Sequence, residues 1–69
     1  MKRVHEFIAT IGVYPDQIIL RKVKRGIYYQ GKIKSIPKDF LEYFVYEVEK
    51  DTKRLMDVLI IPELGAWKN

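Results

Sequence analysis

Residues 54–61 constrain the fold of this 69-residue chain more than any other segment, because they carry large apolar side chains at odd and even positions alike. Successive side chains of a β-strand point to opposite faces of the sheet. The two faces of this predicted strand carry Met56, Val58 and Ile60 on one side, and Leu55, Leu59 and Ile61 on the other. An antiparallel sheet with one face in water shows a clean alternation instead. Both faces therefore need cover, from the helices, from the C-terminal tail or from another chain.

The remaining periodicities place helices and strands around this segment. An apolar stripe at i, i+3, i+4 and i+7 predicts a short amphipathic helix that ends near Gly12; it consists of Val4, Phe7, Ile8 and Ile11. The residue types at 14–16 favour a turn. Residues 17–23 and 27–33 predict the two strands of a hairpin that turns at 24–26. Tyr28, Lys32 and Lys34 are expected on one face of its second strand.

Pro37 interrupts the strands, because it cannot donate a ladder hydrogen bond. Ser35 is expected to cap a short helix whose apolar face is spaced as Ile36, Phe40, Leu41 and Phe44. Residues 45–49 and 54–61 predict a second hairpin. We therefore predict one α+β domain over residues 1–69, with a tail at 62–69. An N-terminal helix precedes two β-hairpins that are joined by a short helix and form a four-stranded, mainly antiparallel sheet.

Charge is unevenly distributed along the chain. Residues 17–38 hold seven basic residues and no acidic one, whereas residues 39–69 hold seven acidic and four basic residues. One reading is that the two halves neutralise each other across neighbouring strands. The other is that the first hairpin binds nucleic acid, with a tyrosine for stacking beside phosphate contacts. The residues of this predicted nucleic-acid surface are Arg21, Lys22, Lys24, Arg25, Tyr28, Lys32 and Lys34.

The second predicted surface is a protein interface. Trp67 either packs back on its own domain or, if exposed, anchors a partner. If the second sheet face stays uncovered, a symmetric homodimer would bury it, with Asp57 paired to Arg54 of the other chain. The interface residues are predicted as Val45, Leu55, Leu59, Ile61 and Trp67.

The chain has few residues of the types that carry out catalysis. The chain has one histidine, one serine and no cysteine. His5 has no second histidine with which to form a usual metal site, and Ser35 has no base at an activating spacing. We expect no enzymatic activity, no metal and no cofactor. We also expect no secretory signal, no membrane span and a cytoplasmic protein.

The layout of residues 14–61 resembles a loose group of small uncharacterised proteins from phages and prophages of Gram-positive bacteria. The resemblance lies in a short apolar-striped helix, a Tyr-Pro-Asp turn, the segment YQGKIKSIPKDFL at 29–41 and two closing strands. It implies that Gly31 is a bulge or a close approach, and that Ile36 and Pro37 start a helix. It further implies a viral or mobile-element origin and an accessory role. A host or viral protein is then the expected partner, in the host cell cytoplasm.

Overall fold

A computed structural model of the protein describes residues 1–12 and 15–64. The elements in chain order are α1 (Val4–Ile8), β1 (Gln17–Lys22), β2 (Ile27–Lys32), a 3₁₀ helix (Ile33–Ser35), α2 (Lys38–Leu41), β3 (Phe44–Asp51) and β4 (Leu55–Ile61). The predicted α+β class, the N-terminal helix and the four-stranded sheet are confirmed. Within the described ranges, no helix is both long and apolar enough to cross a membrane.

The sheet is mixed, with the strand order β2-β1-β4-β3. Each hairpin is antiparallel, but β1 and β4 pair in parallel at the centre. The predicted layout of two antiparallel hairpins did not include this parallel pairing between β1 and β4. The reason for the order lies in burial: β1 and β4 hold most of the buried strand residues, and strands buried on both faces read as continuous apolar runs. The more exposed β2 and β3 form the edges.

One sheet face carries the main core. Both helices pack on this face, α1 through Val4 and α2 through Phe40 and Leu41. The apolar stripe predicted for the first helix is confirmed, although the helix itself ends at Ile8 and Ile11 packs from the turn that follows. The fully or almost fully buried members of the core are Val4, Ile18, Leu20, Ile36, Met56, Val58 and Ile60.

The other sheet face is also largely buried. Ile19, Leu59 and Ile61 retain 8%, 8% and 2% of their surface exposed. The sequence requirement that both faces of the central strands be covered is therefore met within a single chain. The C-terminal tail proposed as one possible cover lies mostly outside the described residues, as do Tyr14 of the predicted turn and Trp67.

The N-terminal segment is tied to the start of β3. Val4 N donates to the Tyr43 carbonyl at 2.7 Å, and Val45 N donates to the Lys2 carbonyl at 2.8 Å. Arg3 reaches across this junction: its Nη1 donates to the Glu42 carbonyl at 2.7 Å, and its guanidinium lies 4.5 Å from the centre of the Phe44 ring. These bonds fix where α1 lies on the sheet.

Two local predictions between the hairpins were wrong. Ser35 does not cap a helix; it ends the 3₁₀ turn, and Pro37 occupies the position before α2. Phe44 is not part of the helical face but begins β3, opposite Ile61. The helix is shorter than its apolar spacing suggested. Only residues 38–41 are helical, and Pro37 before them has a ψ of 142°, which is outside the helical range.

Candidate binding groove

A groove of about 580 Å³ lies where the C-terminal end of α1 approaches the end of β2; we name it the α1–β2 groove. Its floor is apolar and comes from four segments. Ile8 ends α1, Ile11 follows it, Ile33 begins the 3₁₀ helix and Leu41 ends α2. All four side chains are partly buried and pack against the core, so the packing that holds the helices on the sheet also holds this floor.

The rim of the groove is polar and carries more positive than negative charge. Lys32 and Lys34 line it together with Asp16 and His5. The two lysines are exposed, and among the described residues no carboxylate oxygen lies within 4 Å of either ammonium group. The His5 ring is also exposed, with its Nε2 3.8 Å from Glu42 Oε2.

Backbone bonds hold the lysines at this rim. Ile33 N donates to the Asp16 carbonyl at 2.9 Å, which fastens the end of β2 to the residue before β1. The Tyr29 hydroxyl donates to the Lys32 carbonyl at 2.7 Å. Gly31 allows this, because an added Cβ would lie 2.8 Å from Tyr29 Oη, nearer than such atoms pack. The resemblance implied a bulge or a close approach at Gly31, and the close approach is confirmed.

Tyr28 does not share a face with Lys32 and Lys34, contrary to the sequence prediction. The ladder between β1 and β2 shifts register between Leu20 and Arg21, leaving Tyr28 as an extra residue on β2. Such a bulge turns a side chain to the other face. The ring packs against Phe40 and Tyr43, with centroids 5.3 and 5.1 Å away.

The environment of the Tyr28 ring differs from that of a stacking platform. Lys22 Nζ lies 5.2 Å from the ring centre, in addition to the two aromatic neighbours. Burial, with a smaller contribution from Tyr43, raises the pKa of the Tyr28 phenol. The ring is therefore already engaged by its own chain.

Arg21 is paired within the chain. Its Nε donates to Asp57 Oδ1 at 3.0 Å, and its Nη2 donates to Oδ2 at 2.7 Å. The bond to Asp57 raises the pKa of the Arg21 guanidinium. Asp57, for which the sequence suggested Arg54 of a second chain as partner, thus has a partner within its own chain. This pair is also a direct case of neutralisation between neighbouring strands.

The other predicted nucleic-acid residues fall into two groups. Lys22, Lys24 and Arg25 lie around the hairpin turn, where they line a smaller groove of about 260 Å³. Lys32 and Lys34 lie at the opposite end of β2, which is roughly 17 Å away at about 3.3 Å per residue of a β-strand. The structure does not bring the seven residues together on one surface.

The predicted protein-interface residues are also divided. Val45 lies opposite Ile60 and packs on the main core, so its grouping with Leu59 was wrong. Leu59 and Ile61 are buried in the single chain, and Leu55 is partly buried. The exposure from which the homodimer was predicted is therefore absent at Leu59 and Ile61. The homodimer itself stays a prediction.

The α1–β2 groove was not predicted from the sequence. Its floor joins residues from the N-terminal stripe and from the segment around Pro37, and their meeting depends on how the helices cross the sheet. The one available signal was that Ile11 and Ile33 continue apolar patterns beyond the ends of their elements. Within residues 1–12 and 15–64, no three His, Cys, Asp or Glu side chains are close enough together to hold a metal ion.

Comparison with known proteins yields no matching family model, no similar curated protein and no similar solved structure.

Proposed function

We propose that this chain is a non-enzymatic binding domain that holds a segment of a host or viral protein in the α1–β2 groove. The observation that carries the proposal is the apolar floor of Ile8, Ile11, Ile33 and Leu41, which is partly open to solvent on a packed frame. Sites that bind small molecules are typically preformed concave surfaces of about 300–1,000 Å³ with an apolar lining and a few polar groups, and a bulky side chain of a bound segment is an occupant of comparable size. The groove, at about 580 Å³, has these properties.

The kind of partner follows from the floor and from the resemblance. An apolar floor favours an apolar side chain, because contact removes apolar surface from water on both sides. The resemblance to phage and prophage proteins makes a host or viral protein the proposed source of that side chain. A small accessory domain would act by occupying a surface that its partner uses elsewhere, in replication, transcription or defence.

Peptide-display selection against the folded domain tests this proposal. Selected peptides are measured against Leu41→Ala, which removes apolar contact from the groove floor. Val48→Ala is the matched control, since Val48 is 40% exposed on the edge strand β3 and does not line the groove. Both variants are first checked for folding by thermal melting.

The expected result is that the enriched peptides bind wild type and Val48→Ala alike and bind Leu41→Ala several-fold more weakly. Peptides that bind all three proteins equally would place the binding surface elsewhere. A selection that enriches no peptide above background would reject peptide binding by this domain.

A further inference from the structure

We propose that the segment held by the α1–β2 groove combines a bulky apolar side chain with adjacent carboxylates, so that the partner presents an acidic, apolar peptide. This inference rests on the proposed function and adds the chemistry of the partner. It is carried by charge complementarity at the rim.

The positive charge at the rim is open to a partner. Lys32 and Lys34 are both exposed, and neither has a carboxylate oxygen within 4 Å among the described residues. Arg21 differs, since Asp57 accepts two hydrogen bonds from it. The groove lysines are therefore cations for which the described part of the chain supplies no ion-pair partner.

Among the described residues, Asp16 is the opposing charge in the lining. With two lysines against this one aspartate, the described lining has an excess of one positive charge, with His5 not counted. An acidic segment is attracted, whereas a basic segment would meet two ammonium groups. A segment without charge would gain the apolar contact alone.

The two cationic rim residues are positioned by bonded backbone. The Lys32 carbonyl accepts from Tyr29 Oη, and the next residue, Ile33, donates to the Asp16 carbonyl. Lys34 follows within the same 3₁₀ turn. These bonds hold the backbone of both lysines beside the apolar floor. When an apolar side chain of the partner lies on that floor, a carboxylate next to it in the partner would reach the two ammonium groups.

A peptide carboxylate suits this rim better than a nucleic-acid phosphate. Lysine binds carboxylates and phosphates alike as a point charge, so the choice between them depends on the surroundings of the two ammonium groups. The cations at the hairpin turn, Lys22, Lys24 and Arg25, lie at the other end of β2. Among the described residues, the floor consists of aliphatic side chains, and the one ring in the lining is the imidazole of His5 at the rim.

The test uses three series of short labelled peptides that share a central Leu-Phe pair and differ in their flanking residues: Glu, Gln or Lys. Binding is measured by fluorescence anisotropy and located by amide chemical shifts of the folded domain. The Glu series is expected to bind in the groove most tightly and the Lys series least. Raising the salt concentration should weaken the Glu series and bring it towards the Gln series.

Variants at the rim separate charge from apolar contact. Lys32→Gln and Lys34→Gln are each expected to weaken the Glu series roughly 1.5- to 5-fold, as for exposed ion pairs, and to leave the Gln series unchanged. Lys53→Gln, in the turn between β3 and β4 and outside the groove, is the matched control. It should change neither series.

Each outcome decides the inference. Equal binding of the Glu and Gln series overturns the acidic partner, and if Leu41→Ala still weakens both, the groove remains a binding site. Absence of groove shifts with the Glu series up to about 1 mM also overturns the inference, while the peptide selection above decides the proposed function separately. Displacement of the Glu series by a single-stranded oligonucleotide at a lower concentration would assign the rim to phosphates and reject a peptide occupant.

Discussion

The contact between Gly31 and Tyr29 leads to a prediction whose size follows from the structure. In Gly31→Ala, the new Cβ would lie 2.8 Å from Tyr29 Oη and 3.1 Å from Cζ. The tyrosine ring must therefore move, and its 2.7 Å bond to the Lys32 carbonyl is strained or lost. This substitution disturbs the corner from which the groove lysines project.

The expected cost combines three effects. Losing the hydrogen bond costs about 0.5–1.5 kcal/mol. Forcing the ring away from its preferred rotamer costs about 0.5–1.5 kcal/mol. Alanine also strains the backbone, because Gly31 has a φ of +159° that residues with side chains rarely adopt, and this strain exceeds the gain from a less flexible unfolded chain. The first two effects together lower the free energy of unfolding by about 1–3 kcal/mol, and the backbone strain adds to this loss.

A double-mutant cycle with Tyr29→Phe isolates the contact. Phenylalanine lacks the clashing oxygen and has no bond to Lys32, so its ring can tilt away without that loss. Any backbone cost of alanine at position 31 is common to both backgrounds and cancels in the cycle. Gly31→Ala should therefore cost about 1 kcal/mol less in the Tyr29→Phe background than in wild type.

Urea unfolding of the four proteins measures the cycle, provided that the dependence of the free energy on denaturant stays constant. Amide shifts of residues 32–34 should move in Gly31→Ala. A coupling energy below about 0.3 kcal/mol would mean that the ring and the glycine do not constrain each other. A more stable Gly31→Ala protein would refute the close approach itself.

Three further predictions concern titration, nucleic acid and assembly. The pKa of the Tyr28 phenol is raised in the folded state, so folding favours the neutral phenol. The resulting contribution to the free energy of unfolding is present below about pH 10 and is lost as the pH rises through the folded-state pKa. In Tyr28→Phe, the tyrosinate absorbance that develops above about pH 10 should lose one component. If the first hairpin binds nucleic acid through about four phosphates, log affinity should fall with log salt at a slope near −3 to −4, and Lys32→Glu with Lys34→Glu should abolish binding; undiminished binding by the folded double variant would remove these lysines from the site. Light scattering should give twice the chain mass if the predicted homodimer forms and Leu55→Glu should reduce it to one chain, whereas a single-chain mass for wild type contradicts the homodimer.

Local patterns were enough to predict most of the secondary structure. The stripe from Val4 to Ile11, the apolar runs of the strands and the interruption at Pro37 each depend on neighbours in the sequence, and the α+β class followed from them. Ser35 shows the limit of such reasoning, since a residue type common at helix starts lies instead in a 3₁₀ turn. Propensity is a weak guide where a helix has four residues.

The candidate site was harder to predict for two physical reasons. The extra residue at Tyr28 changes which face of the sheet the neighbouring side chains of β2 point to. Nothing in the composition of the strand indicates that bulge. The α1–β2 groove depends on where the chain crosses the sheet after β2, which is a long-range property. Lys32 and Lys34 were singled out from charge, but their position beside Ile8 and Leu41 required the structure.

The pair of Arg21 and Asp57 leads to a last prediction, about how the two hairpins find their register. The parallel seam between β1 and β4 pairs Gln17 with Leu55 at one end and Lys22 with Ile60 at the other, with no tight turn to align the two strands. A slip of one residue would reverse every side chain, but a slip of two would return apolar residues to the same faces. The slip that pairs Asp57 with Gln17 would leave the Asp57 side chain, now 13% exposed, away from Arg21, whereas the opposite slip would keep the two residues within reach of each other. A partly buried ion pair can disfavour that slip in this way. Replacing both residues, as Arg21→Met with Asp57→Leu, removes the pair without leaving a charge behind. The double variant is expected to show more than one set of amide resonances along β1 and β4, and a single sharp set would mean that apolar packing alone fixes the seam.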